Sequence, residues 1–369
     1  MKQTFNNAVA LYKKTDYFLF FLILLLVGVG LNILLASTSY EATVSYGDPY
    51  YFIKKQSIFV LIGSVVLISF SQISYKIWEK ITWPYFGISI LLLILVFIPG
   101  IGREAGGAHR WITVAGFSIQ PSDPVRFGIV LVLARMYTHG DSSGLLKNFL
   151  AFFFILIIAF LIKKEPDLGT SIQTVLFSGI LLIMAGYPVY VLMISGVLGI
   201  PVILLTMSSY QLERIRAFLD PYKYRFETAF QLIASYKSFL SGGFWGQGLG
   251  EGLKRHNLQA RHTDFILAIV AEDLGTIGIV GLLMLYMTIC LYSLMKLMKV
   301  EDSYGRLLGT GIILLFIVQA IMNVAVVMGL LPTTGLNLPL VSYGGTSILS
   351  FLAMFGILLN ILKENQKTI

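Results

Sequence analysis

From Tyr17 to Leu362 the chain alternates apolar runs with short polar breaks. The runs fall near 17–37, 56–73, 83–99, 122–138, 149–162, 167–186, 188–207, 264–295, 308–330 and 342–362. They approach the roughly 20 residues that an α-helix needs to cross a bilayer, and only the Gly186-Tyr187-Pro188 turn parts the sixth from the seventh. The pattern predicts an all-α polytopic integral membrane protein. It would be a single transmembrane domain over 1–369, with about ten helices and one large extracytoplasmic loop at 208–263.

Basic residues set the orientation. With a cytoplasmic amino terminus, the inside segments carry twelve Lys and Arg, among them Lys13, Lys14, Lys76, Lys80, Arg135, Lys147, Lys296 and Lys299. The short outside segments carry six: Lys54, Lys55, Arg103, Arg110, Lys163 and Lys164. That asymmetry puts both termini inside. The 208–263 loop holds eight more basic residues but is near the length at which the charge rule stops applying. Within it Ala229, Leu232, Ile233, Tyr236, Phe239 and Leu240 share one helical face, which suits a helix on the outer leaflet or one packed into the protein's own vestibule. The following "SGGFWGQGLGEG" has no strand–turn–helix setting for a dinucleotide, and a flexible connector is the simplest reading.

Composition narrows the class further. Hydrophobic residues make up 56% of the chain and charged ones 12%, against about 25% charged in soluble domains. Lys13 and Lys14 precede a first run with no small-residue cleavage site after it, so that run reads as a retained span. One cysteine, Cys290, allows no internal disulfide, and four histidines without an H-E-x-x-H give no zinc constellation. The net charge of +8 fits cytoplasmic loops facing anionic membrane lipids, and nucleic acid is set aside.

The informative charges collect at outer helix ends. They lie in "GREAGGAHRWITVAGFSIQPSDPVRFG" (102–128), "KKEPDLGT" (163–170), "RHTDFILAIVAEDLGTIG" (261–278) and "LLPTTGLNLPLVSYGGTS" (330–347). Capping accounts for Ser122, Asp167 and Thr263 or Asp264 taken singly, since short polar side chains satisfy orphan N–H groups. A polar cavity open to the outside accounts for them together. Asp123 and Arg126 share a face at i, i+3, and Asp167 opens a neighbouring span as a second partner for Arg126. Glu272 and Asp273 would lie roughly 12 Å below Asp264 on the same helix, well into the bilayer. With no Walker A motif and no G-x-S-x-G elbow, ATP hydrolysis and serine acyl transfer are poorly supported. A carboxylate at a cavity mouth beside cations suits proton abstraction from a hydroxyl with stabilisation of a phosphate leaving group, and equally suits a carrier of an anionic lipid.

At these residues the chain resembles the SEDS family of FtsW, RodA and SpoVE proteins. The matching stretches are "GAHRWI" (107–112), "FSIQPSDPVRFG" (117–128), "EPDLGT" (165–170), "RIRAFLDP" (214–221), "SGGFWGQGLG" (241–250), "HTDFILAIVAEDLGTIG" (262–278) and "GLLPTTGLNLPLVSYGGTS" (329–347), in the family's order. The resemblance implies a peptidoglycan glycosyltransferase that polymerises lipid II at the outer face of the cytoplasmic membrane and releases undecaprenyl pyrophosphate. "FLDP" with "GQGLG" leans toward the FtsW branch. It implies Asp264 as the catalytic base, and Asp123, Arg126 and Asp167, with Glu272, as a structural charge cluster. His262, Thr263, Arg110, Lys254, Arg261, Ser342, Tyr343, Gly344 and Gly345 are expected around the substrate cavity. A class B penicillin-binding protein, a transpeptidase, is the implied partner. No cofactor is implied beyond a divalent cation on the pyrophosphate, for which no ligand spacing is visible.

The chain departs from the family pattern at several places. Asp123 stands for a glutamate, Pro124 for an aliphatic residue and Arg126 for a lysine; Gln259 and Ala260 replace a Pro-Glu pair, and "YKYRFETAFQ" is more basic than usual. Two other functions use the same parts. A lipid II flippase would draw on Glu272 and Asp273 near the midplane, and a non-catalytic scaffold would use the spans as interaction surfaces.

Overall fold

The computed structural model describes residues 15–105, 108–114, 117–139, 144–252 and 262–365. Lys254 and Arg261 lie outside the described residues. Each predicted span coincides with a helix: α1 Tyr17–Tyr46, α2 Tyr51–Gln72, α3 Lys76–Leu95, α4 Ser122–Thr138, α5 Leu145–Lys164, α6 Leu168–Met184, α7 Val189–Leu205, α10 Ile266–Leu297, α11 Ser303–Val327 and α12 Gly345–Asn365. Seven of these are long and apolar enough to cross a membrane, namely α1, α2, α3, α5, α10, α11 and α12, and α6 is a shorter apolar helix. The outer loop adds α8 Ser209–Leu219 and α9 Phe230–Gly242.

Helix α1 runs nine residues past its apolar stretch. Ser37 and Thr38 each donate to the Leu34 carbonyl, at 2.9 and 2.7 Å, and Thr43 donates to Ser39 O at 2.8 Å. Their hydroxyls are therefore satisfied on the helix's own backbone and do not end it. Gly47, in the left-handed region at φ 69°, closes it.

Helices α11, α12 and α4 form the interior, and α2, α3 and α5 are largely peripheral. Helix α4 is buried without a break from Val125 to Ala134. Helix α2 packs along α12, where a Cβ on Gly356 would stand 2.6 Å from the Leu67 carbonyl, so only glycine lets the two backbones meet. The departure from an all-α fold is a three-stranded antiparallel sheet between α3 and α4, with β1 Gly102–Ala105, β2 Ala108–Val114 and β3 Phe117–Ile119 in the order β1-β2-β3. Aromatic and β-branched Trp111-Ile112-Thr113-Val114 suit a pleated strand, and Ile112 pairs with Ile119.

Helix α10 is two helices in one. Gly275, at φ 65° and ψ −162°, breaks its path. Before the break, Ile266 to Asp273 are all buried; after it, Ile277, Val280, Met284, Met287, Leu291 and Met295 present an exposed apolar face. The glycine run predicted as a flexible connector is docked on this break. Gln247 N and Gly248 N donate to the carbonyls of Glu272 and Asp273 at 2.9 and 3.0 Å, while Thr276 N donates to Gly243 O at 3.0 Å. The helix break frees carbonyls, and the run supplies the donors. Gly246, at φ 80°, passes so close that a Cβ would lie 2.3 Å from Asp273 O.

The loop helix α9 packs on α10, and the predicted apolar stripe is only partly covered: Ala229 and Leu232 are buried, Ile233, Tyr236 and Phe239 half-buried. Leu232, Ser235, Ser238 and Gly242 are buried, whereas Leu240 is 83% exposed. Close approach to the α10 backbone selects small side chains over large apolar ones.

Candidate active site

A cavity of about 700 Å³ opens where α2, α4, α6, α11 and the loops before α10 and α12 converge. Asp264 and Asp123 are on its wall, with Arg126, His262, Thr263, Tyr343, Gly344 and Gly345. Those sequence-predicted residues come together. Ser342 stands behind the wall: its Oγ donates to Thr263 O at 2.6 Å and accepts from Leu338 N at 2.8 Å. Tyr343 N donates to His262 O at 2.8 Å. The loop before α12 thus clamps the loop carrying Asp264.

Capping separates the acids. Asp167 is a true N-cap, its Oδ1 accepting from Thr170 N at 3.0 Å. Asp264 is not: the N-cap of α10 is Phe265, with no side-chain cap bond. Asn323 of α11 fixes the Asp264 backbone, donating to its carbonyl at 2.7 Å and to Leu336 O at 2.6 Å. The Asp264 carboxyl is left to the cavity. Burial pushes it up to about 6; Asp167 adds to the rise, while Arg214, Arg110 and a Thr263 hydrogen bond pull it down.

Arg126 and Asp123 pair directly inside α4, both about 95% buried. The expected second partner, Asp167, is elsewhere. Arg126 instead donates from Nη1 to Gln173 Oε1 and, at 2.8 Å, to Gln319 Oε1, because those amides come from α6 and α11 at its own depth. Asp167 faces Arg110, 3.7 Å away. Arg110 reaches from β2 to grip the carbonyls of Glu165 and Pro166. A Cβ on Gly335 would lie 3.7 Å from both Arg110 Nη1 and Asp264 Oδ2, so the two charged groups flank one small space.

Glu272 does not join this cluster. Its Oε2 accepts from Ser238 Oγ at 2.9 Å, and Asp273 Oδ2 accepts from Gly250 N at 2.9 Å. Both acids are held by the outer loop and line no part of the cavity. Helix α10 is unbroken from Ile266 to Asp273, so the two acids do lie further along it than Asp264; it is the break just beyond them, at Gly275, that brings the outer loop against their side chains instead of the charge cluster.

Several site residues escaped the sequence reading: Lys55, Trp111, Gln120 and Thr170 on the wall, the buried amides Gln173, Gln319 and Asn323, and Arg214, which donates to Thr333 O at 2.9 Å. The signal that could have found the amides is their place inside otherwise apolar runs. Glu165 was missed as well. It is 1% exposed with neither carboxylate oxygen hydrogen-bonded, and burial, then Asp167, raises it to about 9. Among the described residues no three His, Cys, Asp or Glu side chains gather as a metal-ligand set.

Comparison with known proteins gives this geometry a family. The chain is 38% identical over 352 residues to the "Probable peptidoglycan glycosyltransferase FtsW" of Trichlorobacter lovleyi, covering 94% of this chain and 92% of the relative. It is 32% identical over 362 residues to the "Stage V sporulation protein E" of Bacillus subtilis, covering 96% and 99%. Its fold matches a chain of a peptidoglycan synthase complex that coordinates polymerization and crosslinking, with a TM-score of 0.80 at 26% identity over 95% of this chain and 98% of that one. It also matches the rod shape determining protein RodA of Thermus thermophilus, with a TM-score of 0.72 at 25% identity over 95% and 97%. The "Cell cycle protein" family of FtsW, RodA and SpoVE matches residues 17–367, and this chain belongs to that family.

Proposed function

We infer that this peptidoglycan glycosyltransferase polymerises lipid II in the cavity around Asp264. The observation that carries the assignment is a single carboxyl that caps no helix, is raised to about 6 by burial, and faces an open space flanked by a guanidinium. Such a group is a strong enough base at neutral pH to take a proton and remains ionised until it does.

In this reading the acceptor sugar's hydroxyl loses its proton to Asp264 as its oxygen bonds to the donor's anomeric carbon. The bond from that carbon to the pyrophosphate oxygen breaks, and the electron pair leaves with undecaprenyl pyrophosphate. Arg110 and Lys55 are the described cations placed to meet the departing charge. The Asp123–Arg126 pair and its amides hold α4, α6 and α11 at fixed spacing beneath the base. The cavity faces the extracytoplasmic side, both termini are cytoplasmic, and a class B penicillin-binding protein crosslinks the strand. Support for the partner comes from the fold match to a synthase complex that couples polymerization to crosslinking.

The test is reconstitution of wild type and Asp264→Ala with a transpeptidase partner and labelled lipid II. Glycan polymer on a gel from wild type alone, with both samples equally folded, is the expected result. Polymer from the alanine variant would remove Asp264 from the mechanism. Transbilayer movement of lipid II in liposomes, without polymer, would replace the reading with a flippase.

A further inference from the structure

The cavity has an aromatic extension that the chemistry above does not use. Tyr343 and His262 stand on its wall, with ring centroids 5.8 Å apart. Both rings contact Phe52 of α2, at 5.6 and 5.1 Å. Phe52 meets Tyr51 and Tyr46 edge-on at 5.3 and 5.8 Å, and those two tyrosines stack on each other at 3.8 Å and 8°. The rings thus run without a break from the reacting centre to the surface, where Tyr46 is 52% exposed.

The outer end is tied by hydrogen bonds. Gly47 ends α1 and Asp48 ties the turn, accepting from Tyr50 N at 3.0 Å and from Lys54 Nζ at 2.7 Å. Gln56 binds α2 to the cavity loop, donating to Ser342 O and accepting from Gly344 N, both at 3.3 Å. Lys55 lines the cavity and lies over the Tyr51 ring, 4.3 Å from its centre, within 2.6 Å of its hydroxyl. Tyr51 is therefore occupied by both the Tyr46 ring and the Lys55 ammonium. The ring of the pair exposed to a ligand is that of Tyr46, while Tyr51 is half-buried.

We propose that Tyr46 and Tyr51, with Lys55 beside them, form a saccharide-stacking platform that holds the glycan strand as it passes between the cavity and the outside. The proposal rests on the polymerase reading and adds a site to it. Sugar rings in an aminosugar polymer present apolar C–H faces that pack on flat aromatic rings, while their acidic substituents need a cation close by. An aromatic stack with an exposed outer ring and a lysine at its inner end offers both. A tyrosine belt at the membrane surface is the competing account of exposed tyrosines. It does not require the stacked pair to be continuous with the cavity wall.

The experiment compares wild type, Tyr46→Ala and Tyr46→Trp as full chains, reconstituted with the transpeptidase partner. Two readouts are taken: glycan length at matched consumption of labelled lipid II, and binding of a soluble β-1,4-linked N-acetylglucosamine hexamer by saturation-transfer NMR. Tyr46→Ala should give shorter strands and bind the hexamer roughly three- to tenfold more weakly, the scale of one lost aromatic face. Its initial rate should stay within about twofold of wild type, because Tyr46 is not itself among the cavity-lining residues. Tyr46→Trp should restore both length and binding. Unchanged length and binding in the alanine variant would overturn the platform in favour of a membrane belt. So would a parallel fall of rate and thermal stability that tryptophan does not rescue. Hexamer binding that depends on Tyr46, in a protein that makes no polymer, would keep the platform and discard the polymerase. No binding by wild type would discard the platform.

Discussion

Two groups of acids stand within one short sequence, His262 to Gly278, and the structure treats them in opposite ways. Asp264 keeps its carboxyl for a cavity, while Glu272 and Asp273, eight and nine residues on, are wrapped by Ser238 and Gly250 of the outer loop. The residue types are alike and the helix between them is continuous from Ile266 to Asp273. What differs is the supply of local donors. Asp264 has no helix N–H to cap, because Phe265 occupies that position; the other two sit at a break where backbone and hydroxyl donors converge. A carboxyl satisfied by its own scaffold is fastening, and one left facing a cavity is available for chemistry.

The strongest way to break that contrast is to neutralise one acid from each group. Asp264→Asn should lower lipid II polymerisation by about a hundredfold or more, the range expected for loss of a general base. Glu272→Gln keeps an oxygen for Ser238 and should stay within about threefold of wild type. Equal losses in a matched gel assay, with both proteins equally folded, would mean that the two groups are not functionally distinct.

A second prediction concerns the pair beneath the base. Arg126→Ala strands Asp123 and two amides inside the bundle, and breaking a buried pair this way costs about 3–5 kcal/mol. Arg126→Lys retains the charge but not the fork that reaches Asp123, Gln173 and Gln319 together, so its loss should be smaller. Thermal unfolding in detergent measures both. Equal midpoints for the two variants would show that the network contributes little to the bundle.

The break in α10 offers a third. Gly275→Ala places a Cβ 2.4 Å from Gly246 N at a positive-φ, extended conformation that is essentially restricted to glycine, which alone costs on the order of 1–3 kcal/mol. The midpoint of unfolding should fall, and backbone amides of 243–248 should exchange faster with deuterium. Unchanged exchange would mean that the glycine run holds its place without the break.

The pH profile sharpens the comparison more gently. Asp264 must be ionised to act and sits near 6, so the polymerisation rate should rise about tenfold per unit below pH 6 and flatten above it. Glu272→Gln should leave that limb unmoved. A limb near 4 would mean that the base is a solvated carboxylate elsewhere.

Much of this organisation was legible in the sequence. Helical runs separated by polar breaks give the spans, and α4 spans the predicted 122–138. Asp123 with Arg126 could be paired by spacing alone. The partners of Arg126 could not, since Gln173 and Gln319 lie 47 and 193 residues away and only the packing of three helices sets their depth. Nor could the partners of Glu272, because the outer loop docks on a break at Gly275, and a glycine inside an apolar run reads as tolerated until its φ is known. The sheet over the cavity was hidden for a related reason: short strands among glycines carry too few residues to show alternation.

Glu165 gives the smallest effect and the most discriminating one. It lies between Lys164 and Pro166, beside the loop that Arg110 grips, and burial holds its carboxyl at about 9. An unfolded glutamate ionises near 4.3, so the folded chain favours the protonated form. The stabilising contribution is fully present below that unfolded value and is lost as pH rises toward 9. A neutral amide of nearly the same shape replaces the acid in Glu165→Gln, which should polymerise like wild type at pH 7 and unfold at a temperature less sensitive to pH between about 5 and 9. If the variant instead loses polymerisation at neutral pH with its stability intact, Glu165 carries a charge there and belongs with Asp264 among the reacting acids.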